Sequence, residues 1–288
     1  MSGKLGRIWR GVRTVCAHYG LGSRRFGYFA PYRFASEVLA HTEDGVVGWL
    51  EARWEAQLDE FAELIEFAAQ YNGRYEYMER SSPERGRAHF DQEWFMGLDA
   101  VLAYALVRKH RPSRIIEVGS GYSTCFLQQA VLDGNIQTRH QCIDPASGRR
   151  AIPEGVEILA HTLNHLEPDF FAGLGAGDML FVDGSHLYHP GTDAYQIIRD
   201  VLPGLARGVL VHFHDILLPD PYPKMWAWRA YNEQDALVAL LSGGARFRTV
   251  APAAFLRSRH PELLEGLRTP ALRQRLETSL WLEVAGAL

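Results

Sequence analysis

Glu117-Val118-Gly119-Ser120-Gly121-Tyr122-Ser123-Thr124 ends an apolar run and leads straight into a helical pattern. Glycines there let the backbone turn sharply against a ligand, while the helix start offers free N–H groups. A dinucleotide fingerprint would place a third glycine three residues after Gly121, where Thr124 stands. A phosphate loop would end in Gly-Lys-Ser/Thr, and this string holds no lysine. The acid Glu117 instead suits a cationic ligand that carries a ribose. The plainer alternative is a tight strand-to-helix turn with no ligand.

Three further strings add acids and imidazoles. His140-Gln141-Cys142-Ile143-Asp144-Pro145 sets Asp144 about 20 residues past the glycines, where nucleoside-binding α/β folds hold a ribose diol. Asp before Pro is also a common turn former; register with Glu117 and the glycines favours the ligand reading. Asp178-Met179-Leu180-Phe181-Val182-Asp183-Gly184-Ser185-His186 and Val211-His212-Phe213-His214-Asp215 follow. In an open parallel sheet such carboxyl ends share one crevice, so Asp183, His186, His214 and Asp215 can converge. Two carboxylates with one or two imidazoles make a divalent-metal site. Oxygen donors favour Mg2+, and added imidazole admits Mn2+ or Fe2+. His212 reads as a hydrogen-bonded core residue.

The elements that must position these residues are legible in the alternation of patterns. Apolar runs of strand type lie at Arg114–Val118, Thr138–Ile143, Val156–Leu159, Met179–Val182, Val209–Phe213, Phe247–Val250 and Ser279–Val284. Helical spacing falls at Ser123–Leu132, at Asp193–Leu202 with Thr192 as N-cap, and at Glu233–Leu241. Upstream, Val46 to about Tyr75 reads as a helix, Ser81, Ser82, Pro83 and Gly86 as a linker, and Leu98–His110 as a second helix stopped by Pro112. This predicts an α/β fold: a Rossmann-like, doubly wound, mostly parallel seven-stranded sheet with helices on both faces. A helical N-terminal or lid region over 1–90 precedes the main domain at 91–288.

Composition sets the outer bounds. The 288 residues are 47% hydrophobic and 11% aromatic, too apolar for a disordered chain. A formal charge of −4 calls for no nucleic acid. Cys16, Cys125 and Cys142 are too scattered for a disulfide framework or zinc cluster, which favours a reducing compartment. No apolar run reaches the ~18–20 residues of a membrane span, and the expectation is a cytoplasmic protein. The start is unusual. Residues 1–40 hold seven bases and one acid, with Leu5, Ile8, Val12 and Val15 at helical spacing. That pattern reads as an amphipathic helix for an anionic surface or acceptor, as a transit peptide, or as a solvated helix face.

Together, the strings at Glu117–Thr124, Ile143–Pro145, Phe181–His186 and Val211–Ile216 resemble class I S-adenosylmethionine-dependent methyltransferases. More narrowly, they resemble a bacterial branch related to the metal-dependent catechol and macrolide-sugar O-methyltransferases. The resemblance covers roughly residues 90–285. It implies that Glu117, Gly119, Ser120, Gly121 and Ser123 hold the methionine part of the cofactor and Asp144 its ribose, with Asp183 close by. It implies that Asp183 and Asp215 bind Mg2+ and that His186 acts as base. The catechol enzymes have an amide beside their fifth-strand acid; here His214 precedes Asp215, which adds His214 to the metal candidates.

The expected reaction is O-methylation of a small hydroxylated acceptor, a saccharide or natural product. A sulfonium methyl is already activated, so alignment and deprotonation of the acceptor are what the protein supplies. The run Leu217-Leu218-Pro219-Asp220-Pro221-Tyr222-Pro223-Lys224-Met225-Trp226-Ala227-Trp228-Arg229 reads as an acceptor lid or as a packed surface loop. Two other classes compete. A non-haem-iron oxygenase would use two histidines and a carboxylate as a facial triad. A catalytically inactive cofactor-binding protein would have no need of Asp183, His186 and Asp215 together. A homo-oligomer is compatible with all of these.

Overall fold

The computed structural model of the protein describes residues 4–19, 21, 33–34, 45–81, 84–149, 152–167, 169–268 and 276–286. Its strands are β1 Arg114–Val118, β2 Arg139–Ile143, β3 Val156–Leu159, β4 Met179–Val182, β5 Leu210–Phe213, β6 Phe247–Pro252 and β7 Leu280–Val284. Its α-helices are α1 Lys4–His18, α2 Gly48–Glu55, α3 Leu58–Ala69, α4 Asn72–Arg80, α5 Gly97–His110, α6 Tyr122–Asp133, α7 Asp193–Gln196, α8 Glu233–Ser242 and α9 Ala253–Arg259. One seven-stranded sheet runs β3-β2-β1-β4-β5-β7-β6. Strands β1 to β5 pair in parallel; β7 inserts antiparallel between β5 and β6. β4 and β5 are buried at every residue, as strands covered on both faces must be. The expected strands agree with these to within a residue or two.

The order reverses between β1 and β4, the switch point where open α/β sheets bind ligands. Glu117, Asp144, Asp183 and Asp215 end or follow β1, β2, β4 and β5, all at the carboxyl edge. Helix α5 is buried from Gly97 to Val107, and Arg111 in left-handed conformation (φ +49°) ends it before Pro112. Thr192 caps α7 by accepting from the Tyr195 N–H at 3.3 Å, and the chain continues through a π turn to Val201.

The helix expected from Val46 to Tyr75 is three shorter ones. Each joint is two residues long: Ala56 (φ −75°, ψ −7°) and Gln70 (φ −60°, ψ −21°) stay helical, while Gln57 (φ −112°, ψ 10°) and Tyr71 (φ −99°, ψ 12°) leave the helical region and end each piece. Each piece faces its own part of the core: Leu50 and Trp54, then Phe61, Leu64 and Ile65, then Tyr75 and Met78.

The structure also divides the chain elsewhere than at residue 90. One compact unit is Met1–Gly45 with Pro223–Arg229; the other is Val46–Tyr222 with Ala230–Leu288. The helices after residue 45 belong to the sheet's unit by direct ties. Trp54 Nε1 donates to Thr249 Oγ1 on β6 at 2.9 Å, and Arg74 holds Asp133 of α6 bidentately at 2.6 and 2.9 Å. Of the expected linker, Ser82 and Pro83 lie outside the described residues, as do Arg24, Arg25 and Glu37 of the basic start. No described helix is long and apolar enough to cross a membrane.

Candidate functional site

At the end of β1, Gly119 (φ +101°) donates its N–H to the Ile143 carbonyl at 2.9 Å. A Cβ at this position would collide with the Asp183 carbonyl oxygen, so only glycine lets the turn rest against the end of β4. The Gly121 N–H donates to Thr124 Oγ1 at 3.0 Å. The threonine that replaces a third glycine therefore closes the first turn of α6 on itself.

Asp144 stands beside this turn, partly exposed. Its Oδ2 accepts from Ser120 Oγ at 2.5 Å and its Oδ1 from the Ala146 N–H at 2.7 Å. Each oxygen keeps a second lone pair, which is what two ribose hydroxyls require. Such acceptors suit the hydroxyls of a ribose.

Glu117 lies lower. It is 1% exposed, Oε1 faces His140 Nε2 at 2.7 Å and Cys142 Sγ at 3.2 Å, and Oε2 accepts from Ser123 Oγ at 2.9 Å. His140 Nδ1 in turn meets Gln128 Oε1 at 3.0 Å. Glu117 and Ser123, expected to touch the cofactor, thus form the floor under the loop. Glu117, His140 and Cys142 bring one donor atom each within 4.8 Å of one another, the spacing of a metal site. Their donors are spent on one another, however, and burial together with Glu117 pushes the Cys142 thiol up, away from the thiolate a metal needs.

The second cluster sits at the ends of β4 and β5. His186 Nε2 lies 3.4 Å from Asp183 Oδ1 and 3.7 Å from Asp215 Oδ2, while Nδ1 lies 3.0 Å from Glu233 Oε2. His186 and Asp215 both adopt left-handed backbone (φ +55° and +54°), a strained conformation for residues with a Cβ that collects at functional sites. The strain is fixed from α8. The Asn232 N–H donates to the His186 carbonyl at 3.2 Å, Asn232 Oδ1 accepts from the Tyr188 N–H at 2.7 Å, and Tyr231 packs 4.6 Å from the imidazole. From the other side Asp193 accepts hydrogen bonds from the Ser185 N–H and Oγ.

Charge in this cluster is strongly coupled to position. Burial opposes a charged His186, yet its bonds to Asp183 and Glu233 outweigh that and raise it well above the usual histidine range. Burial would also push the Asp183 carboxyl up, but His214 and His186 hold it well below. Glu233 is raised, chiefly by burial, and its Oε1 is buried with no hydrogen-bond partner. The Asp183 side chain is nonetheless 39% exposed and that of Asp215 17%. Two partly exposed carboxylates, each within 4 Å of His186 Nε2, offer the hard oxygen ligands that a divalent ion takes.

His214 is placed differently from its two neighbours. Both ring nitrogens lie 3.4 to 3.5 Å from Thr278 Oγ1, which reaches Asp99 Oδ2 at 3.3 Å. Among the described residues, no trio drawn from Asp183, His186, His214 and Asp215 gathers within 4.8 Å, so a two-histidine triad is not assembled. His212 is the core residue expected: Nε2 meets Ser279 Oγ at 2.8 Å, its ring stacks on Phe181 at 3.7 Å, and burial lowers its pKa well below the usual value. The expected acceptor lid separates into two parts. Leu217 and Leu218 are buried, and Tyr222 packs 5.9 Å from Tyr231. Pro223–Arg229 belongs to the unit of residues 1–45.

Residues 116–216 match a family model described as a methyltransferase domain, a span that contains all four motif-bearing strand ends. No curated protein matches the chain. Among solved structures it is similar to the SAH-bound methyltransferase PaMTH1 of Podospora anserina, at 14% identity and TM-score 0.41, over 90% of this chain and 100% of that one. It is similar also to CmcI with Mg-SAM, at 15% identity and TM-score 0.39 over 72% and 82% of the chains. The plantazolicin methyltransferase BpumL, in complex with a desmethyl analog and SAH, gives 12% and 0.39 over 64% and 83%. The family match falls on these strand ends, at the carboxyl edge of the Rossmann-like sheet, and gives residues 116–216 the likeness of a methyltransferase domain.

Proposed function

We propose that this protein transfers a methyl group from S-adenosylmethionine to a hydroxyl of a small molecule, a saccharide or natural product, with a divalent ion, Mg2+ first, assisting. The observation that carries the reading is the edge cluster. Two partly exposed carboxylates face the Nε2 of a buried histidine whose other nitrogen is backed by a carboxylate, across β1 from Asp144 at the end of β2. The cofactor supplies an activated sulfonium methyl, and a divalent ion lowers the pKa of a bound hydroxyl.

The chain's own residues do the rest. Asp144 and Ser120 receive the ribose, and Gly119 and Gly121 let the backbone approach the methionine end. Asp183 and Asp215 would hold the ion through hard oxygens, leaving His214 to brace the end of β5 through Thr278. His186 presents Nε2 on the side of Asp183 and Asp215, where it would take the acceptor's proton. Glu233 fixes the tautomer and the ring's direction from Nδ1.

Calorimetry with S-adenosylmethionine, S-adenosylhomocysteine and NAD tests the cofactor. Binding of the first two and not of NAD is expected, and binding of NAD alone would overturn the reading. Methyl transfer to a panel of hydroxylated saccharides and polyketides should stop with chelator and return with Mg2+. Indifference to chelator would remove the ion from the proposal.

A further inference from the structure

The unit formed by Met1–Gly45 and Pro223–Arg229 contains none of the groups used above, and its composition is unlike the rest of the chain. It holds nine bases against three acids, +6 in a protein whose total is −4. Helix α1, Lys4–His18, has no acid at all. At 3.6 residues per turn, Leu5, Ile8, Trp9, Val12, Val15 and Cys16 fall in one arc of about 120°. Arg7 and Arg10 lie on the opposite face, and Arg13 at the arc's margin. A stripe of this kind normally packs on a core. Here it does not: Leu5 is 83% exposed, Trp9 58% and Ile8 57%.

The second segment of the unit repeats the chemistry. Lys224–Arg229 is a short 3-10 turn with no buried residue, in which Met225 is 76% and Trp228 47% exposed. Arg10 lies over the Trp228 ring at 4.8 Å and Arg229 over Trp226 at 4.2 Å. Bulky apolar and aromatic side chains with arginines, free of acids, are what the boundary between headgroups and acyl chains selects. We infer that this unit binds the surface of an anionic lipid bilayer, with α1 lying in the interface plane and its apolar arc directed into the acyl boundary.

Charge and shape together favour this occupant. A soluble acidic acceptor would engage the arginines and leave the apolar arc in water. A protein groove would be served by the arc without six excess positive charges. A bilayer containing phosphatidylserine uses both faces of the helix at once.

Co-sedimentation of the full chain with vesicles tests this. Binding is expected to phosphatidylserine–phosphatidylcholine vesicles and not to pure phosphatidylcholine, weakening as salt is raised. Replacing Arg7 by Ala should weaken it about fivefold, the effect of one base near an anionic surface. The double variant Leu5→Glu, Ile8→Glu should abolish it, with an unchanged thermal melt showing that the sheet unit is intact. No binding to anionic vesicles, equal binding to neutral ones, or full binding by the double variant would overturn the inference. So would a dimer in sedimentation equilibrium that the double variant disperses, because the arc would then be covered by a second copy. None of these readouts depends on methyl transfer.

Discussion

Two polar clusters, one within the paired strands β1 and β2 and one beyond the ends of β4 and β5, are built from nearly the same residue types in different surroundings. The floor cluster has Glu117 with His140, Cys142 and Ser123; the edge cluster has Asp183 and Asp215 with His186 and Glu233. In the floor, both carboxylate oxygens are taken by protein donors and the acid is 1% exposed. At the edge, the Asp183 side chain is 39% exposed, His186 and Asp215 have strained backbones, and one oxygen of Glu233 is left over. An acid beside a histidine is therefore no sign of chemistry in itself. Spare ligand capacity open to solvent is what separates the proposed site from a brace.

That contrast is broken most severely by Asp215→Asn. Turnover should fall to background and lose its metal dependence, while cofactor affinity and melting temperature hold. His186→Gln should cost ~10²–10⁴-fold in turnover with metal and cofactor still bound, and raising the pH should recover part of it as more acceptor ionises unaided. If His186→Gln expels the metal, the imidazole is a ligand and the division of roles proposed for the edge is wrong. Glu117→Ala should do the reverse. It strands His140, Cys142 and Ser123 in the interior, so denaturant unfolding should show a loss of about 1–3 kcal/mol or more. Turnover should fall only as far as the glycine loop is loosened. A Glu117→Ala protein of native stability that cannot bind the cofactor would mean that Glu117 touches the ligand after all.

The residues of the loop and the two clusters were legible to different degrees. Gly119, Asp144, Asp183 and Asp215 stand out because each ends a short apolar run, and a parallel sheet sends all such ends to one side. Glu233 does not. It arrives from the first turn of α8, where an acid is the ordinary complement to the helix dipole, and nothing marks it apart from Asp235 beside it. Glu117's burial is a matter of register: it pairs with Cys142, and the sequence gives no sign of which neighbours a strand will acquire. The three-way break of the expected helix was hidden for a local reason, since its joints, Ala56-Gln57 and Gln70-Tyr71, contain neither glycine nor proline. The insertion of β7 between β5 and β6 depends on long-range pairing that no local pattern encodes.

A pair of buried acids outside both clusters, Asp99 and Glu277, supplies the mildest test of the same distinction. Behind His214, the Asp99 carboxylate accepts from the Thr278 N–H at 3.0 Å and the Ser279 N–H at 2.8 Å, so it is saturated as Glu117 is. Glu277 beside it uses only Oε2, on the Asp99 N–H at 3.2 Å, and Oε1 has no partner. Burial first, and the neighbouring Asp99 second, raise Glu277 well above its ordinary 4.5. The folded protein therefore keeps a proton on Glu277 that the unfolded chain releases once pH exceeds about 4.5. Stability from this group is complete below that pH and declines as pH climbs toward the folded value, by at most about 1.4 kcal/mol per unit. Glu277→Gln keeps the shape and cannot ionise. Its melting temperature should fall less steeply than the wild type's between pH 5 and 8, and the two curves should converge toward the acid end. Parallel curves would mean that Glu277 is ionised in the fold, and that an unsatisfied carboxylate oxygen can persist there without holding a proton.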